Sequence, residues 1–80
     1  EGRVLDAADV RGTIYLNFGA DWRSDFTVKI TSRSRKLFEA EGFDFPAMEN
    51  RTIRVRGWLD EMNGPMIEAT HPEQIELLEN

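Results

Sequence analysis

Apolar and polar residues alternate with a period of two along most of the chain, which is the pattern of half-buried β-strands. The alternation is clearest over residues 13–18 and 26–30, where the apolar side chains fall on one face. A weak alternation predicts a strand over residues 3–8, a long one predicts a strand over residues 52–60, and short ones predict a strand over residues 66–69 and a last edge segment over residues 75–78. Because the connections between them are short, the first three strands are expected to form an antiparallel meander.

The period changes after residue 30, and one helix is expected there. Thr31 or Ser32 is a suitable N-cap, and Gly42 supplies the C-terminal stop. The resulting helix has about ten residues, close to the average for globular proteins. Pro46 argues against a central strand over residues 43–50, so that segment is expected to be a loop.

The segment 52–60 is the strongest predicted strand, and it carries a glycine in its interior. Alternation divides its side chains between a core face, with Ile53, Val55, Gly57 and Leu59, and an opposite face, with Arg54, Arg56 and Trp58. A glycine inside a strand indicates a bulge or a sharp bend, as a closed barrel requires. Asn63 and Gly64 then predict a two-residue hairpin turn into the next strand.

The order β-β-β-α-β-β with a short C-terminal tail predicts a β-rich fold. A five-stranded Greek-key barrel with a helix between its third and fourth strands is the OB-fold. The alternative is an open α+β sheet with one helix. With 80 residues the chain makes a single domain, residues 1–80.

Composition excludes several kinds of chemistry. The chain has no cysteine, so it has no disulfide framework, iron–sulfur cluster, thiolate zinc site or cysteine nucleophile. The same absence fits an extracytoplasmic location. No apolar run approaches the ~20 residues of a membrane span, and no membrane span is expected. We also expect no cofactor and no metal.

Charge is distributed unevenly. The net charge is −5; residues 1–60 hold equal numbers of acids and bases, whereas residues 61–80 hold five acids and no lysine or arginine. Such a balance disfavours non-specific binding of polyanions, which needs clustered cations. Two local basic groups remain, and we expect them to be solvated surfaces: Arg33, Arg35 and Lys36, and Arg51, Arg54 and Arg56.

Two surfaces are candidates for ligand binding. Tyr15, Asn17 and Lys29 point outward from the second and third predicted strands, the face across which OB-folds commonly bind ligands. Trp22 and Arg23, in the loop between those strands, would lie beside it.

The second candidate surface is formed by Arg54, Arg56 and Trp58. The tryptophan could stack on a base while the guanidinium groups hold phosphates. The favoured interpretation is instead that Trp58 packs against the helix or the tail beneath the arginine stems. His71, the only histidine, stands at a turn, where a capping or surface role is expected.

Four segments together resemble a known family. They are 12–19 (GTIYLNFG), 25–28 (DFTV), 54–59 (RVRGWL) and 63–75 (NGPMIEATHPEQI). The chain resembles the C-terminal OB-fold domain of bacterial thermonuclease-family (staphylococcal-nuclease-like) proteins, over nearly its whole length. The resemblance implies an OB barrel that follows a separate nuclease-like segment, so this chain would be a fragment of a longer one.

The catalytic pattern of that family does not carry over. Gly12 stands where the resemblance places a metal-binding aspartate, and Thr27 where it places the arginine that stabilises the phosphorane. Residues 31–35 (TSRSR) replace the segment that supplies a second metal ligand and the general base. Phosphodiester hydrolysis by this route needs a carboxylate-held cation and a base. We therefore expect no catalytic residues in this domain.

The sequence favours a non-catalytic OB-fold accessory module that binds a ligand, with single-stranded nucleic acid as the first ligand class to consider. The alternative is a structural or protein-interaction domain, a monomer that packs on the rest of its parent protein as an intramolecular partner. A divergent enzyme is a third hypothesis, without a recognisable set of catalytic groups in support.

Overall fold

The computed structural model describes residues 1–19, 25–61 and 64–78. Its elements in chain order are β1 (Gly2–Arg3), β2 (Asp6–Val10), β3 (Thr13–Asn17), β4 (Thr27–Ile30), helix α1 (Ser32–Ala40), a 3-10 turn (Pro46–Met48), β5 (Thr52–Val55), β6 (Leu59–Asp60), β7 (Met66–Glu68), a second 3-10 turn (Pro72–Gln74) and β8 (Ile75–Leu77).

The strands form two sheets. One has five strands in the order β2-β3-β4-β7-β6, and the other has three in the order β1-β5-β8. Every pair is antiparallel except β4 with β7. The predicted β-rich fold with one helix is confirmed, and the closed five-stranded barrel stays a prediction.

Two predicted strands are each divided between the two sheets. The strand expected over residues 3–8 becomes β1 and β2, and the one expected over residues 52–60 becomes β5 and β6. At Gly57 the backbone has φ +157°, and a Cβ there would lie 2.7 Å from Ile67 Cγ2. The predicted bend at Gly57 is confirmed, and the prediction of one continuous strand is wrong because that bend ends β5.

Helix α1 begins and ends as the sequence predicts. The Thr31 side chain accepts a hydrogen bond from the Ser34 N–H, which caps the first turn. At the other end the N–H of Phe43 donates to the Phe38 carbonyl, and that of Gly42 donates to Glu39. These two bonds form a Schellman motif around Gly42, whose φ is +89°.

A phenylalanine cluster joins the helix to the loop that follows it. Phe38 and Phe43 meet edge to face with ring centroids 5.2 Å apart, and Phe45 lies 5.8 Å from Phe38. Phe38 and Phe45 are fully buried beside apolar side chains of both sheets and of the link between β1 and β2, among them Leu16, Val28, Ile30, Ile53 and Val4. The helix therefore packs against a core that the two sheets share.

The C-terminal elements are predicted well, apart from one side chain. Strands β6 and β7 pair antiparallel, as the hairpin prediction requires, although Asn63 of the predicted turn lies outside the described residues. Strand β8 is the expected edge segment, paired with β5. Leu59 was expected in the core but is 54% exposed, because it lies on the edge strand β6. No helix within the described ranges is long and apolar enough to cross a membrane.

Candidate binding face

The strand register places side chains from five strands together on the outside of the five-stranded sheet. Paired positions place Tyr15 opposite Ala8 and Lys29, and Lys29 opposite Glu68. We call this surface the outer face; its residues are Asp6, Ala8, Val10, Thr13, Tyr15, Asn17, Thr27, Lys29, Asp60, Met66 and Glu68. The predicted grouping of Tyr15, Asn17 and Lys29 is confirmed.

A shallow depression of about 450 Å³ lies on the outer face. Its lining combines apolar side chains with the predicted polar ones: Ala8, Val10, Met66, Tyr15, Asn17 and Lys29. A concave sheet surface that combines an aromatic ring, an ammonium group and apolar side chains is the kind of surface on which ligands bind.

Two outer-face side chains are oriented by a hydrogen-bonded chain that crosses three strands. The Thr27 hydroxyl donates to Asn17 Oδ1 at 3.3 Å, and Asn17 Nδ2 donates to Asp6 Oδ2 at 3.3 Å. Thr27 is buried, so this chain is anchored on a fixed group. Both ends of the Asn17 amide are therefore engaged, and its main role is to order the sheet rather than to contact a ligand.

Among the residues that the structure describes, acidic groups outnumber basic groups on the outer face. Lys29 is its only described base, whereas Asp6, Asp60 and Glu68 are acids. Neither Lys29 nor Glu68 forms an ion pair with another residue of the described ranges. Among the described residues the outer face therefore has more acids than bases, with a lysine and a glutamate side by side near its centre.

The structure separates Trp58 from the arginines with which it was grouped. Arg54 pairs with Glu1 at 3.2 Å and with Glu76 at 3.5 Å, and Arg56 pairs with Glu76 at 3.3 Å. These arginines lie before the bend at Gly57 and are already held by carboxylates of this chain. Their availability for phosphate is reduced accordingly.

Trp58 does not pack as the favoured interpretation expected. Its side chain is 94% exposed, so neither the helix nor the tail covers it, and that expectation is wrong. The bend at Gly57 turns the chain away from the three-stranded sheet immediately before Trp58, which removes the arginine stems as a cover.

Other sequence candidates are placed as follows. Trp22 and Arg23 lie outside the described residues. His71 is exposed, with Nδ1 2.9 Å from the Thr70 hydroxyl, as a surface histidine would be. Gln74 closes this turn, because its side-chain oxygen accepts from the Thr70 N–H at 2.8 Å and its nitrogen donates to the Arg56 carbonyl at 2.9 Å.

Met66 and Glu68 of β7 belong to the outer face, and sequence reasoning missed them. Alternation over residues 66–69 puts these two side chains on the same side of a strand. It does not show that β7 pairs in parallel with β4, a strand 36 residues or more away along the chain. That pairing is what brings Glu68 beside Lys29. Only a strand order for the whole sheet would have found them.

Arg35 of the helical basic group serves a contact within the chain. Its guanidinium binds Asp9 at 2.8 Å and Glu39 at 2.9 Å, and it donates to the Gly12 carbonyl at 3.3 Å. It therefore fastens the β2–β3 turn to the start of α1. The hydrogen bond from Arg35 is the main reason that the pKa of Asp9 lies below its ordinary value near 3.8. The hydrogen bond from the Gly12 N–H lowers the pKa further.

This ion pair predicts a dependence of stability on acid pH. The pKa of Asp9 is lower in the folded chain than in the unfolded chain. The contribution of Asp9 to the free energy of unfolding is therefore fully present above pH about 3.8 and is lost as the pH falls through the lower pKa of the folded chain. Asp9→Asn should therefore flatten the decrease in unfolding free energy below pH 4, as measured by urea unfolding at several pH values. A decrease as steep as that of the unchanged chain would contradict the assignment.

Comparison with known proteins adds no family to this picture. Neither protein-family models, nor curated proteins, nor solved structures gave a match to this chain. Within the described ranges no three histidine, cysteine, aspartate or glutamate side chains are grouped so that they could hold a metal ion.

Proposed function

We propose that this chain is a non-catalytic binding module of OB type that holds a protein partner on the outer face. The observation that carries the proposal is the outer face itself, where Tyr15 and an apolar depression are bordered, within the described ranges, by more carboxylates than cations. The absence of catalytic residues rests on the resemblance to thermonuclease-family domains and on Gly12, Thr27 and the segment 31–35 that replace the family's pattern.

The strand pairings support an OB barrel. If β1 with β2 and β5 with β6 each count as one bent strand, the pairs β2–β3, β3–β4, β4–β7, β7–β6 and β5–β1 form a closed ring. The parallel pair and the helix between β4 and β5 also follow OB order. Cross-strand contacts of Gly2 with Ile53 and of Leu59 with Ile67, seen together by NMR, would support closure; the loss of either would contradict it.

The charges of the described residues favour a protein partner over a nucleic acid. Binding of a single strand weakens with salt in proportion to the phosphates that the protein neutralises, and the outer face offers only Lys29 for that purpose within the described ranges. Arg54 and Arg56, the other proposed phosphate ligands, are paired with Glu1 and Glu76. A protein segment with positive charge complements this face better than a polyanion does.

Single-stranded nucleic acid is the second candidate ligand. The cross-strand pair of Tyr15 and Lys29, both half-buried, favours it, because an aromatic ring and a neighbouring cation are the parts that hold a stacked base and its phosphate. On this alternative, log K should fall with log salt with a slope of only about −0.7, the value for one neutralised phosphate of a single strand.

The two classes are tested with two probes and two variants. A fluorescent basic peptide and a fluorescent single-stranded oligonucleotide are titrated with the unchanged chain, Tyr15→Ala and Leu37→Ala, at low and at physiological salt. We expect the peptide to bind more tightly at physiological salt. Tyr15→Ala should weaken that binding about fivefold or more, since truncation of an aromatic anchor costs about 1 kcal/mol or more.

Leu37 is the matched control, because it is about half exposed on the helix and does not line the outer-face depression. Tighter binding of the oligonucleotide, weakened by Tyr15→Ala, would replace the protein partner by the nucleic acid. Equal effects of the two alanine variants on either probe would remove the outer face from consideration.

A further inference from the structure

Trp58 is the most exposed large apolar side chain of the described residues. It contributes little to the core, because 94% of its surface is accessible. Tryptophan is also one of the residue types enriched among those that carry most of the binding energy of an interface. The position of Trp58 relative to the outer face therefore bears on binding.

The register of β6 and β7 places Trp58 relative to the outer face. Leu59 lies opposite Ile67, and Asp60 lies opposite Met66, so one further antiparallel step sets Trp58 opposite Glu68. Side chains alternate along a strand, and Trp58 therefore falls on the same side as Asp60, the outer side. One row then runs across β3, β4 and β7 to the residue that precedes β6: Tyr15, Lys29, Glu68 and Trp58.

We propose that Trp58 and Glu68 form a subsite for a lysine or arginine side chain of the partner; this proposal rests on the proposed function. An indole face attracts a cation electrostatically at short range, and the neighbouring carboxylate adds an ion pair. Glu68 is exposed and has no ion-pair partner within the described ranges, so its charge is available to a ligand.

Tyr15, at the other end of the row, would contact a second side chain of the same partner segment. Tyr15 is three strand spacings from Trp58, about 14 Å. Four residues of an extended chain span about 13 Å, and side chains four apart point to the same side. A segment that places its cation at Trp58 therefore places the side chain four positions away on the depression beside Tyr15, Val10 and Met66, where an apolar group fits. The motif is thus an apolar residue and a basic residue four apart in an extended partner segment.

The test uses two capped pentapeptides that differ at one position. Both carry leucine first and the same uncharged polar residues at positions two to four; the fifth residue is arginine in one and glutamine in the other. Binding is followed by amide and indole NMR signals of the full chain, in which Trp58→Ala identifies the Trp58 indole. The arginine peptide should bind about fivefold more tightly, with Trp58 and Glu68 among the shifted signals.

Three variants separate the subsite from the rest of the face. Trp58→Ala and Glu68→Gln should each reduce the preference for arginine to less than twofold, while Leu37→Ala should leave it unchanged. Equal affinity for both peptides, with shifts still at Tyr15 and Lys29, would overturn the cation subsite and leave the outer face as the binding surface. No outer-face shift with either peptide at millimolar concentration would overturn the proposed function as well.

Discussion

Phe38→Ala should destabilise the fold by about 3–5 kcal/mol, the cost of truncating a buried phenylalanine and leaving a cavity. Phe38 is 0% exposed and touches Phe43 and Phe45, so it joins the helix, the following loop and both sheets. A domain of this length has a total stability of about 4–12 kcal/mol. The variant is therefore expected to lose much or all of its native state at room temperature.

The adjacent residue supplies the control for this prediction. Leu37 is on the same helix turn but 51% exposed, and Leu37→Ala should cost less than about 1 kcal/mol. Urea unfolding followed by far-ultraviolet circular dichroism measures both. Similar midpoints for the two variants would mean that the helix does not cover the core through Phe38.

Gly57→Ala should be the second strongly destabilising change, by about 2–4 kcal/mol. Its added Cβ would lie 2.7 Å from Ile67 Cγ2 and 3.1 Å from the Gln74 side-chain nitrogen. The backbone at φ +157° is also one that residues with a Cβ rarely adopt. Overpacking and backbone strain therefore act together.

Gly42→Ala separates these two causes. Gly42 has φ +89° at the end of the helix, but a Cβ there would have nothing within 4 Å. Its replacement should cost only the left-handed backbone penalty, about 1–2 kcal/mol. Equal losses in thermal unfolding for Gly42→Ala and Gly57→Ala would show that the bend does not depend on the close approach of Ile67.

Local signals in the sequence predicted most of the elements. The N-cap at Thr31, the stop at Gly42 and the bend at Gly57 each depend on a few neighbouring residues, and all three are found. Leu59 was misplaced because alternation gives the side of a strand but does not show that the strand is an edge. Strand order is set by pairings between distant residues, for which one sequence has no signal.

The candidate site was predicted in part for the same reason. Tyr15 and Lys29 lie on strands that are consecutive in the chain, so alternation was enough to group them. Glu68 joins them only through the parallel pairing of β4 and β7. Trp58 was grouped with Arg54 and Arg56 by sequence proximity, whereas Glu1 and Glu76, from the two ends of the chain, bind those arginines.

An amide-resolved NMR titration tests the central claim, that the outer face is the binding surface, most directly. The chain is titrated with a basic peptide and, separately, with a short single-stranded oligonucleotide, each at low and at physiological salt. The account predicts peptide shifts confined to residues 6–17, 27–29, 58–60 and 66–68, and weak oligonucleotide shifts that vanish at physiological salt. Peptide shifts centred on Arg54, Arg56 and Glu76 with the outer face unchanged would contradict it.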